Sequence, residues 1–439
     1  MRIGLVTRWF PPVVRGGSHL SAYYLAKGLA DHGQEVHVFT SAPASNDGDG
    51  TSHSREPAAA DSGDSRAWWH HPGIQRHPIF RPILPRTDWE MLASALQMGR
   101  RLRGYLKRRD LHLDVLHAYG MDTIPAVVAA RSFGRPVATL NGHWATCPFW
   151  DHMDPATQQV NAVCTYRHIG RCVRLRDAHR SAVRRWAKWH YLAFSIRLRQ
   201  YYASRLLLMM PISASVEALL RVQKFQPASV RRGSSLIDPD AYQGLDPTFL
   251  HRRYAIPRTH RILLHAGRFA MYKGSEAILE AAPQILARHP DAHFVFLGHG
   301  SELPRLEDLA RTRGLSTPVT FGGFVEPPDM PHAYASSWAL LHTSTLPEPL
   351  ARGPLEAMAA GTAVIATATG GTPEVVRDEE TGLLIPPFDA SALAAACVRL
   401  LGDAPLRHLV AARGQEFVRT HFSPDAQIPS YLAAYRSVM

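Results

Sequence analysis

Short apolar runs alternate with longer stretches in which apolar residues recur every three or four positions, and this alternation fills both halves of the chain. In the first half, Ile3 to Val6 predicts a strand, and a loop carrying Gly16 and Gly17 follows. Leu20, Tyr23, Tyr24, Ala26, Lys27 and Leu29 then run at helical spacing to Gly33, after which Glu35 to Phe39 predicts the next strand. A helix from about Trp89 to Arg109, a strand at Val115 to Ala118, a helix at Ile124 to Phe133 and a strand at Val137 to Leu140 continue the series. The second half repeats the grammar. Strands are expected at Ile262 to Ala266, His293 to Leu297, Val319 to Phe321, Ala339 to His342 and Ala363 to Ala366. Helices fall between them at Ser275 to Arg288, Glu302 to Arg313 and Gly353 to Ala360. Such alternation implies parallel sheets covered by helices on both faces. The fold class expected is therefore α/β, with two doubly wound Rossmann-like domains facing an interdomain cleft and ligands at the carboxyl ends of the strands. Ala42 to Arg66, rich in Ser, Asp, Gly and Ala, is expected to be a mobile loop, and the polar stretch Arg231 to Pro257 a linker.

Composition narrows the class. The chain has 439 residues, 46% of them hydrophobic and 20% charged, which fits a globular protein of two or three domains and excludes a fibrous or largely disordered one. No span approaches the roughly 20 apolar residues that cross a bilayer. The longest apolar run, Leu206 to Ile212, contains Pro211. The N-terminal apolar stretch turns polar at Thr7 and Arg8, which is too brief for a signal peptide. Four cysteines, Cys147, Cys164, Cys172 and Cys397, show no disulfide-framework density, so a cytoplasmic location is expected.

The formal charge of +12 is concentrated between Arg167 and Arg205, where eleven Lys or Arg residues accompany one acid, Asp177. An anionic surface is the implied partner, and no nucleic-acid signature is present, so phospholipid headgroups at the inner membrane face are the better expectation. Within that segment Val183, Trp186, Trp189, Ala193 and Ile196 recur at three- and four-residue steps beside Arg184, Arg185, Lys188 and Arg199. Such a helix suits a membrane interface, or equally a domain helix whose Trp stripe is core.

Several residues carry candidate chemistry. Gly16 and Gly17 lie between the first strand and the first helix, where a backbone can approach an anion closely, or simply turn. Arg268 and Lys273 share one strand-to-helix loop, a pairing suited to phosphate oxygens. Glu348 and Glu356 are eight residues apart, one in a loop and one on an otherwise apolar helix, where its charge must find a partner or complement the helix dipole. Cys147, Cys164 and Cys172 lie among His143, His152 and His168, but their spacing matches no standard zinc finger or ribbon. Reduced structural thiols are expected there, with no metal and no cofactor.

The Glu348-x7-Glu356 spacing is followed by Ala357-Met-Ala-Ala-Gly361, Gly370-Gly-Thr-Pro-Glu374 and Thr381-Gly-Leu-Leu384. Gly267-Arg268, Lys273-Gly274, Leu297-Gly298 with Gly300, and Phe321-Gly-Gly-Phe324 precede it in order. With Gly16-Gly17 and Leu29-Ala-Asp-His-Gly33 near the start, this set resembles glycosyltransferase family 4, retaining enzymes of the GT-B fold that use nucleotide sugars. The resemblance implies a metal-independent hexosyltransferase moving a sugar from a nucleoside diphosphate sugar to an acceptor hydroxyl. Residues 1–235 would bind the acceptor, 236–420 the donor, and a helix in 421–439 would cross back to the first domain. Arg268 and Lys273 would hold the diphosphate, Glu356 the ribose, and Glu348 the donor sugar beside the amides of Leu350 and Ala351. Gly17, with Gly16, would approach the phosphate and sugar.

The chain departs from the family where Thr139-Leu-Asn-Gly-His-Trp-Ala-Thr-Cys-Pro148 puts Asn141 in the place of a histidine, with His143 two residues on. Either Asn141 contacts the sugar or His143 replaces it from a shifted loop. Pro349-Leu-Ala351, Ser235-Leu-Ile-Asp238 and Gly298-His-Gly300 also depart from the common pattern, which leaves base, sugar and acceptor unread. Two other readings stay open: a GT-B nucleotide-sugar epimerase or phosphorylase, and a non-enzymatic anionic-surface binder on a degenerate scaffold of this fold.

Overall fold

The computed structural model describes residues 1–14, 17–42, 69–81, 88–143, 145–149, 151–157, 163–222 and 228–439. The expected mobile loop after Ala42 lies outside these, as do Gly16 and Trp144. The chain divides into two units, Met1–Leu236 with Pro424–Met439, and Ile237–Ser423.

The first unit holds six strands: β1 (Arg2–Val6), β2 (Glu35–Ser41), β3 (Ile74–Phe80), β4 (Val115–Tyr119), β5 (Arg135–Leu140) and β6 (Leu208–Pro211). They form one parallel sheet in the order β3-β2-β1-β4-β5-β6. The second unit repeats the arrangement with β7 (Arg261–Ala266), β8 (Ala292–Leu297), β9 (Val319–Gly323), β10 (Ala339–His342), β11 (Ala363–Thr367) and β12 (Leu383–Ile385). Its order is β12-β11-β10-β7-β8-β9, also parallel throughout. Both sheets are doubly wound, reversing direction next to their first strand. The switch points lie between β1 and β4 and between β7 and β10, where open sheets of this kind bind ligands.

Central strands are buried on both faces because helices cover both. Leu263, Phe294, Phe296 and Leu341 pack on one side of the second sheet, and Leu264, Val295, Leu340 and Val364 on the other. Alternate residues of one strand thus enter different cores, and the strands read as continuous apolar runs. The three strands not foreseen all stand at the edge of their sheet. β3 is half-exposed and carries Arg76 and Pro78, β12 has three residues, and β6 hides in the apolar run ending at Pro211.

Two expectations need correction. The helix foreseen at Ile124 to Phe133 stops at Ala129, because Ala130 leaves helical geometry and Phe133 N–H turns back to the Ala130 carbonyl at 2.9 Å. The stretch Arg231 to Pro257 is not a linker throughout. Ile237, Leu250 and Ile256 are buried in the second unit's core, and a short helix spans Phe249–Arg253.

The helix Pro424–Arg436 belongs to the first unit and buries Ile428, Tyr431 and Tyr435 there. Tyr435 Oη lies 2.6 Å from His117 Nδ1, and Tyr431 Oη donates to the Ser234 carbonyl at 2.8 Å, so both hydroxyls are satisfied away from water. The Ile428 side chain is fully buried and packs where Gly28 leaves room on the Gly17–Asp31 helix. Ile428→Ala is expected to destabilise the first unit by about 2–5 kcal/mol, read as a lower urea midpoint in its unfolding transition.

Candidate active site

The carboxyl edge of the second sheet carries most of the candidate residues. Arg268 follows β7 directly, is exposed, and makes no ion pair among the described residues. Buried Phe269 anchors the loop behind it, its N–H donating to the His299 carbonyl at 2.9 Å. Lys273 ends a single 3-10 turn, Met271–Lys273, before the helix Ser275–Arg288. Gly274 joins the two in left-handed geometry, φ 67°, and a Cβ there would meet the Thr343 carbonyl oxygen at 2.0 Å. Only glycine permits this approach, and it fixes Lys273 above the end of β10. Thr343 Oγ1 donates to the Lys273 and Gly274 carbonyls, and Thr345 N–H to the Tyr272 carbonyl at 2.9 Å, sewing the two strand ends together.

Glu348 lies in the loop after β10, on the other side of the switch point. Its Oε1 accepts from Lys273 Nζ at 2.5 Å, and its Oε2 is 3.6 Å from His342 Nε2. Burial pushes the Glu348 carboxyl up, but His342 and Lys273 outweigh it, with hydrogen bonds from Lys273 and Ser344, and hold it at about 2. Burial in turn lowers the His342 pKa, against the pull of Glu348. The loop backbone is held as tightly. Gly371 N–H donates to the Glu348 carbonyl at 2.8 Å, and at Gly370, φ 54°, a Cβ would lie 2.2 Å from that oxygen.

Glu356 sits on the helix Arg352–Ala359 that follows, whose N-cap residue Ala351 offers no side-chain cap. Its charge is met by Arg352, whose Nε donates to Oε1 at 2.7 Å, while the Tyr334 hydroxyl donates to Oε2 at 3.0 Å. Ala351 is fully buried and Leu350 half-buried at the start of this helix. The structure therefore joins Lys273 to Glu348 directly, and places Leu350, Ala351 and Glu356 on the segment that continues from them.

The remaining candidates lie in the first unit. Gly17 opens the Gly17–Asp31 helix and is exposed. Asn141 is the first residue beyond β5 and is half-buried. His143 is buried, its ring 5.0 Å from that of His152 and edge-on to it, with its carbonyl accepting from the Thr146 and Cys147 amides. Sequence reading missed Arg352, Tyr334, Ser344 and His342. Arg352 sits four residues before Glu356 and was in principle legible as a helical pair. The others depend on strand and helix packing that no local spacing encodes.

Residues 246–417 match the family model for glycosyl transferases group 1. Curated relatives include spore coat protein SA of Bacillus subtilis, 38% identical over 135 residues, covering 29% of this chain and 36% of that protein. Another is the alpha-D-kanosaminyltransferase of Streptomyces kanamyceticus, 32% identical over 189 residues, or 43% of this chain and 48% of that one. The chain thus spans half or less of the length of these relatives. Solved structures match over nearly the whole chain. Sucrose-phosphate synthase from Thermosynechococcus elongatus superposes with a TM-score of 0.75 at 22% identity, covering 99% of this chain and 98% of that one. Anabaena HepE in complex with UDP gives 0.68 at 18% identity, with 100% of each chain covered. At these identities the likeness is one of fold.

A carboxyl group held ionised by its folded surroundings stabilises the fold only while it stays ionised. For Glu348 that contribution is complete above its ordinary value of 4.5 and is lost as pH falls toward about 2. Glu348→Gln is expected to flatten the acid limb of unfolding midpoint against pH over that window. An unchanged acid limb would mean that Lys273 and His342 do not hold the charge.

Proposed function

From the match of residues 246–417 to the group 1 glycosyl transferases and the GT-B fold of the chain, we propose a retaining, metal-independent hexosyltransferase. The donor is a nucleoside diphosphate sugar and the acceptor carries a hydroxyl. The observation that carries this reading is the Lys273–Glu348 pair astride the β7/β10 switch point, with Arg268 exposed on the same loop and in no ion pair among the described residues.

In this reading Arg268 and Lys273 grip the diphosphate and neutralise the charge that grows on it as the glycosidic bond breaks. Glu348, kept ionised, accepts hydrogen bonds from the sugar hydroxyls and aligns the ring, with the Leu350 and Ala351 amides beside it. Glu356 retains lone pairs beyond those given to Arg352 and Tyr334 and accepts from the ribose hydroxyls. Gly17 and Gly16 give the phosphate and sugar a close backbone approach. The acceptor hydroxyl attacks from the face the leaving group departs, and its proton passes to the leaving phosphate oxygen, so no protein base is required. Catalysis then rests on positioning and on preorganised charge. Asn141, at the end of β5, is the better sugar contact in the first unit, since His143 turns into a buried cluster with His152. UDP-linked sugars are the first donors to test, because a neighbour of the same fold holds UDP.

A second role concerns the basic segment. The helix Ala182–Ala203 faces two ways: Leu192 and Ile196 pack inward, whereas Val183, Trp186, Phe194 and Tyr201 are 76%, 60%, 57% and 50% exposed. These four follow one helical stripe, interleaved with exposed Arg184 and Arg197. The excess charge is smaller than the sequence implied, because Arg171 pairs with Asp154, Arg176 with Asp151, and Arg180 and Lys188 with Asp177. What remains suits shallow seating on anionic headgroups. Among the described residues no helix is long and apolar enough to cross a membrane.

Lys273→Ala is expected to weaken donor binding by about 1.5–3 kcal/mol, roughly 10- to 150-fold in Kd, measured by calorimetry without added divalent metal. Unchanged affinity would remove the assignment, and an inverted anomeric centre in the product's NMR spectrum would remove retention. Trp186→Glu is expected to abolish co-flotation with phosphatidylglycerol vesicles while leaving donor affinity intact. Equal flotation of the variant would exclude this helix as the contact.

A further inference from the structure

Away from the donor residues, the loop beyond β5 gathers a set of soft donors. Cys147, His152 and Cys164 each present one ligand atom, and these atoms lie within 4.8 Å of one another. Cys147 and His152 are buried, and Cys164 half-buried just before the helix Tyr166–Arg176. The two thiols are free, and their sulfurs lie within that same 4.8 Å.

His152 is a further anomaly. It holds left-handed backbone geometry, φ 55°, which a non-glycine residue adopts only where its surroundings impose it. Its Nε2 sits 2.7 Å from Thr146 Oγ1, the kind of outer hydrogen bond that orients an imidazole beside a metal.

The surroundings supply a reason for a staple. The helices Tyr166–Arg176 and Ala182–Ala203 pack as a pair on a satellite core whose buried members among the described residues are Ile169, Val173, Leu192 and Ile196. That core is separate from the two that flank the first sheet. So small a core is a weak anchor on its own, and structural metal sites serve where apolar burial falls short.

We propose that Cys147, His152 and Cys164 bind one structural zinc ion that fastens this helical pair to the loop carrying Asn141 and His143. Two thiolates at about 2.3 Å and one imidazole at about 2.0 Å from zinc stand roughly 3.5–3.8 Å apart in a tetrahedron, so a small closure of the observed cluster completes the site. The Cys172 thiol, on the helix Tyr166–Arg176 that follows Cys164, is a further soft donor for the fourth position. The ion takes no part in the proposed sugar transfer, whose diphosphate-gripping residues Arg268 and Lys273 lie in the second unit, and its test does not use activity.

The full chain, purified with reductant and without chelator, is expected to carry about one zinc per molecule by plasma mass spectrometry. Cobalt reconstitution should give a thiolate-to-metal charge-transfer band. Cys164→Ser should lower metal content at least tenfold, whereas Cys397→Ser, buried in the second unit, should retain it. Because Cys164→Ser can unfold the helical pair, the wild-type chain provides an independent reading: chelation should make two further thiols reactive to alkylation. Folded protein that takes up neither zinc nor cobalt would overturn the proposal. So would zinc retained in Cys164→Ser, or a Cys147–Cys164 disulfide found by peptide mapping of the native protein.

Discussion

A partly buried ammonium–carboxylate contact, Lys273 on Glu348, is the constraint on which the carboxyl edge of the second sheet depends. A carboxylate withdrawn from water is costly unless it is paired and hydrogen-bonded, and Glu348 has Lys273, His342 and Ser344 around it. To deliver Lys273 there, the chain must turn through a left-handed residue hard against the Thr343 carbonyl, which explains Gly274. To hold the Glu348 loop, the chain from β11 must close against its backbone, which explains Gly370. A partly buried pair of this kind is a poor way to gain stability, since apolar residues of similar size often serve as well. Its value lies in keeping opposite charges fixed at a strand edge, and in the function proposed above these are the charges offered to a diphosphate and to its sugar.

What could be read from the chain followed from burial. The central strands enter two cores at once, so β1, β4, β7, β8, β10 and β11 announce themselves as apolar runs. β3 escaped because an edge strand with Arg76, His77 and Pro78 has no such requirement, and β12 because three residues carry no period. Helix ends were legible where the core stripe itself ends, as at Arg288, and not where a turn cuts the stripe short, as at Ala129. At the site, Arg268, Lys273, Glu348 and Glu356 stood out by type and spacing, whereas the contacts that define them did not. Lys273 meets Glu348 only because β7 pairs with β10, with Leu264 opposite Leu340, and a single sequence does not state which strands are neighbours. Tyr334 reaches Glu356 for a similar reason, through the packing of two short helices.

The basic segment shows how charge counts mislead when folding is ignored. Arg167 to Arg205 holds one acid in sequence, but Asp151 and Asp154 arrive from the preceding loop and take Arg176 and Arg171. Asp177, itself buried, takes both Arg180 and Lys188. The expected Trp stripe also divides. Ile196 goes to the satellite core, Trp189 is half-buried with its indole N–H donating to the Tyr166 carbonyl at 2.8 Å, and Val183 and Trp186 face water. The exposed stripe is therefore rotated from the one that spacing suggested, and it is Phe194 and Tyr201 that extend it.

The two units secure their functional loops by different physical means. In the second unit the loops after β7, β10 and β11 are short and hold one another through backbone contacts that glycine makes possible. In the first, the excursion between β5 and β6 is long, and long connections within compact domains need their own means of order. Apolar burial there is slight, so polar links carry the load: Arg176 to Asp151 at 2.7 Å and to the Met153 carbonyl at 3.0 Å, Arg171 to Asp154 at 3.2 Å. Half-exposed ion pairs of this sort contribute little each, and less at physiological salt. A site whose side chains must stand within about half an ångström of a productive geometry cannot rest on them alone. The cluster of Cys147, His152 and Cys164 lies between Asn141 and the helical pair, at the point where such a loop most needs a fixed crosslink.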